Sequence, residues 1–309
     1  MTPYFGKGFL AFLMLFFERL CAGFPGGFAS DEVQLVALFM IGASSALLGT
    51  FLVMRRMTMV ANSLSHTILV GIVLAFLIIP TQALFQEELS LGFTGLLLGA
   101  FLTALLTVGL IHFFTHVIRL QTDASIGLVF TSLFAVGVLL VTLFTRNVHI
   151  GVEAVVGNLD ALHRDDLKLL FWVTGLNVLC ATAFYKRLKV VAFDPPFARS
   201  IGYSPALYDG LLMILVAGTA IAAFRAVGVL LFLAFLVIPV LTARFFTRSL
   251  LSLISFSIVF SLVVALLAVA LSRHVLTVQH LPLSTPGLVV TLLGGFFALS
   301  FFRKKRVVA

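Results

Sequence analysis

The sequence predicts an all-α, polytopic helical membrane protein with about nine transmembrane helices, and three observations predict it. Of its 309 residues 61% are hydrophobic and 10% charged, against roughly 25% charged in an ordinary soluble domain. A soluble core of this length cannot hide so much apolar surface, so lipid must cover part of it. The apolar residues also fall into separate runs near the ~20 residues that a helix rising ~1.5 Å per residue needs to cross a ~30 Å hydrocarbon core. Finally, the basic residues sit in short clusters between those runs, which is how membrane topology is encoded.

The elements follow in order. The run from Gly8 to Phe17 has the length of a signal-peptide core, but Glu18 and Arg19 follow it without a clear small-residue cleavage site. The run is thus not read as a cleaved signal; Tyr4 to Phe24 is either a tenth span or an interfacial helix, and the reading adopted for residues 1–30 is an interfacial N-terminal helix. Nine runs are long and apolar enough to span: 33–54, 59–80, 91–111, 124–145, 169–185, 209–224, 226–243, 249–272 and 286–302. The pair that meets at Arg225 is the exception to easy reading, because two full spans cannot turn on one residue. One of them is expected to be broken or re-entrant, which is tolerated where protein shields the backbone, and Pro239 should kink the second.

Lys and Arg set the orientation. Arg55–Arg56, Arg119, Lys186–Arg187–Lys189, Arg199, Arg244 with Arg248, and Arg303 to Arg306 hold thirteen of the twenty basic residues. Lys186 to Arg199 share one loop, and two spans separate each basic loop from the next, so all lie on the cytoplasmic side. The net charge of +8 is thereby explained by topology, and no nucleic-acid partner is implied. Cys21 and Cys180 stand far apart in apolar contexts, so neither a disulfide framework nor a Cys-based metal site follows. The whole chain, 1–309, reads as a single transmembrane domain, with 186–205 as its longest polar cytoplasmic segment.

No phosphate-cradling G-x-x-x-x-G-K-[ST], no H-E-x-x-H and no G-x-S-x-G occurs, so neither nucleotide hydrolysis nor a recognisable catalytic set is predicted. The informative polar groups are those inside spans, where burial demands an explanation. Asn62, Ser65 and His66 interrupt the second span in its first turns, with Asn62 and His66 four apart on one face. A neutral imidazole with an oxygen donor can hold a first-row divalent metal; equally, such groups hydrogen-bond to neighbouring helices. His112 and His116 repeat the spacing near the cytoplasmic end of the third span, as metal ligands or as interfacial histidines. His149 and Glu153 share a spacing in the outer loop, as cation ligands or as ordinary loop polarity. Only Asp123 and Asp209 among carboxylates lie near spans, too few for the coupling groups of a stand-alone ion-driven transporter.

From Gly49 through Arg55-Arg56-Met57 to Asn62-Ser63-Leu64-Ser65-His66, the sequence resembles the permeases of ABC importers for manganese, zinc and iron. That family carries a basic Arg-Arg-Met-type turn followed by a G-D-A-L-S-H-like motif. Asp123, Gly127 and Phe130 are similar to its D-x-x-x-G-x-x-F segment. Asp194-Pro-Pro-Phe-Ala198-Arg-Ser-Ile-Gly202 resembles its ATPase-coupling segment, and residues 226–243 resemble its A-V-G-x-L-L-x-x-x-L-L-x-x-P-x-x-x-A helix.

The resemblance implies a type II ABC importer permease fold in the cytoplasmic membrane. It implies a transported divalent metal rather than a resident cofactor, a cytoplasmic ATP-binding subunit, an extracytoplasmic metal-binding lipoprotein and a second permease chain. His66 matches the motif histidine of the metal passage, while Asn62 stands where the family has Asp. Asp194, Ala198 and Gly202 would serve ATPase coupling. Rival readings are an ABC permease for a vitamin or siderophore and a stand-alone secondary metal transporter. Because a homodimer would bring no carboxylate to the Asn62 position, the expected partner is a related permease that keeps one; the alternative is a homodimer whose gate needs no carboxylate, since a weaker site releases metal more readily.

Overall fold

A computed structural model describes residues 4, 6, 8–23, 29–78, 89–144, 162, 164–281 and 283–308. Among the described residues there are eleven helices and no strand. They are α1 (Phe9–Cys21), α2 (Ser30–Met54), α3 (Thr58–Ile78), α4 (Leu89–His116), α5 (Thr122–Phe144) and α6 (Arg164–Ala183). The remainder are α7 (Tyr185–Phe193), α8 (Pro195–Ser200), α9 (Pro205–Ala243), α10 (Leu250–Gln279) and α11 (Thr285–Val308). At 13 residues, α1 is too short to cross a bilayer.

Seven helical stretches among the described residues are long and apolar enough to cross, or eight if α6 and α7, bent by 72°, form one broken span. The expected nine is thus a slight overcount. The difference falls on α3, whose 21 residues occupy the second predicted span. The pair expected to meet at Arg225 is one 39-residue element, α9, interrupted at Gly228, where φ is 79° and ψ 170°. That conformation is open essentially to glycine alone, so the break belongs to Gly228 and not to the conspicuous charge before it. Pro239 lies inside α9 and leaves the Phe235 carbonyl without its helical donor.

The helices pack as two compact units, Met1–Thr50 with Ala154–Leu179 and Ala222–Ala309, and Phe51–Glu153 with Cys180–Ile221. In the first unit α2 meets α9 backbone to backbone. A Cβ on Gly49 would lie 1.9 Å from the Leu236 carbonyl oxygen, and one on Gly42 would touch Ser261 at 3.4 Å. Helices approach this closely through small residues where no hydrophobic drive exists between them in lipid. On α6, Asn177 donates to the Ser44 hydroxyl and Thr174 to the Met40 carbonyl, both on α2.

The first turn of α2 buries two carboxylates that the sequence reading passed over. Asp31 is 1% exposed and Glu32 fully buried. Arg273 pairs with Asp31, and Arg19 pairs with Glu32. The Tyr4 hydroxyl donates to Glu32 at 2.7 Å, and burial followed by this bond pushes the tyrosine pKa above its ordinary value, so it stays a donor. The tally of Asp123 and Asp209 as the only carboxylates near spans therefore needs correction. Each added acid is compensated by a guanidinium, as burial requires, which leaves neither as a bare carboxylate for ion coupling.

In the second unit α3 packs against α4 and α5. A Cβ on Gly71 would lie 2.2 Å from the Gly99 carbonyl oxygen, and one on Gly99 would lie 2.5 Å from that of Gly71. One turn away, Thr107 donates to the Thr67 hydroxyl at 2.9 Å. Gly137 of α5 admits the Val70 side chain, which a Cβ there would meet at 3.0 Å. These contacts fix the rotation of α3, and so the direction in which its polar face points.

Candidate functional site

α3 buries Val60, Ala61, Leu64 and Thr67 completely, whereas Asn62 and His66 are only partly covered. The two predicted residues thus share the less buried face of the helix, as their spacing requires. The His66 ring stands against two rings of α5, with centroids 5.5 Å from Phe130 and 5.3 Å from Phe134. Those two phenyl rings are themselves stacked, 5.6 Å apart. Sequence reading had placed Phe130 in a motif without a neighbour, and had not singled out Phe134. The Ser65 side chain, His149 and Glu153 lie outside the described residues.

Among the described residues no three His, Cys, Asp or Glu side chains come together as a metal cluster. The His66 imidazole and the Asn62 amide are thus two neutral polar groups on one face of α3, short of the about four protein ligands that close a structural metal site.

His112 and His116 stack with centroids 4.2 Å apart, and His116 Nδ1 lies 3.2 Å from the His112 carbonyl oxygen. They line a cleft of about 490 Å³ together with Arg55, Asp123, Arg199 and Asp209. Neither Asn62 nor His66 belongs to that lining. Asp209, one of the two carboxylates that the sequence places near spans, is buried and receives a fork from Arg55, whose Nε donates to Oδ1 at 2.8 Å while an Nη donates to Oδ2.

The segment 194–202 is a built turn. Asp194 caps α8, accepting from the Phe197 amide at 2.9 Å, and Pro195 follows where no amide donor is needed. At the other end the Tyr203 amide donates to Ala198 and the Gly202 amide to Arg199. Gly202 sits at φ 86°. This is the paired-bond glycine ending in which the left-handed residue closes the helix. Of the three expected coupling residues, Asp194 and Gly202 shape the helix and Ala198 is wholly buried. The outward apolar side chains are Phe193, Phe197 and Ile201, exposed by 56%, 52% and 46%; sequence spacing, i, i+4, i+8, could have found them. Replacing Asp194 by alanine should cost about 1 kcal/mol of local helix stability, read as faster amide exchange confined to residues 197–200.

Comparison with known families matches residues 32–304 to the ABC 3 transport family. The chain is 40% identical over 300 residues to a probable metal transport system membrane protein of Chlamydia muridarum, covering 96% of this chain and 93% of that one. It is 35% identical over 242 residues to the manganese transport system membrane protein MntD of Bacillus subtilis, covering 74% and 79%. Among solved structures, PsaBC from Streptococcus pneumoniae in complex with Fab matches with a TM-score of 0.72 at 23% identity, covering 94% of this chain and 95% of that chain. At that identity the likeness speaks for the fold.

Proposed function

The chain belongs to the ABC 3 transport family, and from that premise we propose that it is the permease subunit of an ATP-driven importer of a divalent transition-metal ion. The observation that carries this reading is the family match over residues 32–304, which takes in α3 with its partly covered imidazole. The protein sits in the cytoplasmic membrane as a multi-pass subunit, with α1 along the interface and 186–205 facing the cytoplasm. It supplies passage, gate and docking surface. ATP is hydrolysed on a separate cytoplasmic subunit, and an extracytoplasmic lipoprotein hands over the metal.

In this mechanism the transporter alternates between outward- and inward-open states that ATP and metal bind differently. His66 offers the ion a nitrogen lone pair, and Asn62 a carbonyl oxygen. His112 and His116 present two imidazoles towards the cytoplasmic end. Uptake of manganese, zinc and iron(II) into proteoliposomes holding the complete transporter tests the proposal. It expects uptake that needs ATP and the lipoprotein. Uptake driven by an ion gradient without ATP would overturn it in favour of a secondary transporter, and exclusive uptake of chelated metal would point to a siderophore permease.

The second permease chain is a related protein that keeps a carboxylate where this one has Asn62. Two amides and two imidazoles would meet a dehydrated divalent ion with neutral donors alone, and its desolvation would be poorly offset. A transporter purified through a tag on this chain should therefore contain two different permeases. A fully active complex holding this permease as its sole membrane subunit would refute the pairing.

A further inference from the structure

Arg55 gathers three elements of the second unit at one point. It follows the last residue of α2, and only Arg56 and Met57 stand between it and α3. Its guanidinium forks onto both carboxylate oxygens of Asp209 in the second turn of α9. A further Nη–H donates to the Val191 carbonyl of α7 at 3.3 Å. Both side chains are largely withdrawn from solvent, 15% exposed for Arg55 and 9% for Asp209.

The sequence makes this third contact necessary. Within a helix the Val191 carbonyl would accept from the amide of residue 195, but that residue is Pro195, which has none. α7 thus ends, next to the segment 194–202, with a carbonyl that its own helix cannot satisfy, and Arg55 satisfies it. The neighbouring turn is equally fixed. Arg56 lies at φ 58°, with the Met57 amide on Leu52 and the Arg56 amide on Val53, the same paired-bond ending as at Gly202. α3 departs from this closed turn, and Asn62 and His66 lie within its first nine residues.

We propose that Arg55 is a positioning residue that transmits displacement of α7 and α8 to α3, and so sets when the Asn62–His66 face opens. The inference rests on the reading that residues 194–202 receive the movement of the ATPase. A planar fork with fixed donor directions suits such a link, since it holds orientation as well as distance. An ammonium could keep the charge but not all three directed bonds.

The test uses the complete transporter in proteoliposomes, with ATP hydrolysis and manganese uptake measured on the same sample. Arg55→Gln and Asp209→Asn should leave hydrolysis within about twofold of wild type while uptake per ATP falls about tenfold. Arg55→Lys should fall between, and the exchange Arg55→Asp with Asp209→Arg should recover part of the loss seen in Arg55→Gln. Hydrogen exchange gives a reading that a merely structural role would not move. In wild type ATP should change exchange over both 197–202 and 58–66, and in Arg55→Gln over 197–202 alone. Unchanged uptake per ATP in Arg55→Gln overturns the proposal, as does a parallel fall of hydrolysis and uptake. Should Arg55→Gln fail to accumulate, Asp209→Asn, which keeps the side-chain volume and one acceptor oxygen, decides by the same ratio. Failure of the underlying reading looks different: Phe197→Asp would then assemble with the ATPase and transport normally.

Discussion

His66→Ala should reduce ATP-driven metal uptake by about tenfold or more, with the protein inserted and assembled as in wild type. The expectation follows from donor chemistry. His66 supplies the one imidazole on the less buried face of α3, and no three-residue metal cluster among the described residues stands in for it. Asn62 remains, but an amide oxygen is a weak neutral donor for a first-row metal. Alanine alone does not separate ligation from packing, because the ring also rests on Phe130 and Phe134. His66→Phe separates them. It keeps an aromatic ring against that pair and removes both nitrogens. It should fold and assemble yet transport no better than alanine. Wild-type uptake by His66→Phe would show that His66 serves the α3–α5 contact and not the ion.

Much of the fold was legible because lipid enforces it. A spanning helix must be apolar over about 20 residues, and the basic clusters mark its cytoplasmic ends, so the spans could be read one by one. What escaped was local geometry that composition does not carry. The break in α9 lies at Gly228, a residue type common throughout the sequence, and only its left-handed φ distinguishes it. Asp31 and Glu32 looked like polar residues ahead of a span, because their partners Arg273 and Arg19 come from other helices. The candidate site divides in the same way. The face shared by Asn62 and His66 was visible from spacing, whereas its aromatic wall required α5 to be placed beside α3. In the segment 194–202 sequence pointed to Asp194, Ala198 and Gly202, the residues that build the helix, and the side chains facing outward emerged only with the fold.

That distinction gives the second large effect. Phe197→Asp should weaken association with the ATPase subunit by about 30-fold or more, as removal of a central aromatic anchor does, and ATP-driven uptake should fall with it. Phe197 is 52% exposed beside Phe193 and Ile201. Phe193 and Phe197 also line an open cavity of about 570 Å³ with Tyr185, Lys186, Lys189 and Val190. In the proposed topology Lys186, Arg187 and Lys189 put this segment on the cytoplasmic side, so the phenylalanines are not simply lipid-facing. An apolar patch rimmed by cations in water is a surface that a partner covers. The substitution leaves Ala198 buried and keeps the Asp194 and Gly202 caps, since Phe197 contributes its amide and not its ring to the helix start. Loss of the ATPase from the purified complex, with this permease still at normal levels in the membrane, would therefore report on the missing ring. Gly202→Arg tests the same segment by another route. A Cβ there meets no atom within 4 Å, but φ of 86° strains any residue other than glycine, so α8 should tilt through backbone strain at 202 and not through a clash at Cβ. If Phe197→Asp copurified with the ATPase and transported at the wild-type rate, the ATPase would have to dock elsewhere, and the assignment of residues 194–202 to coupling would fall.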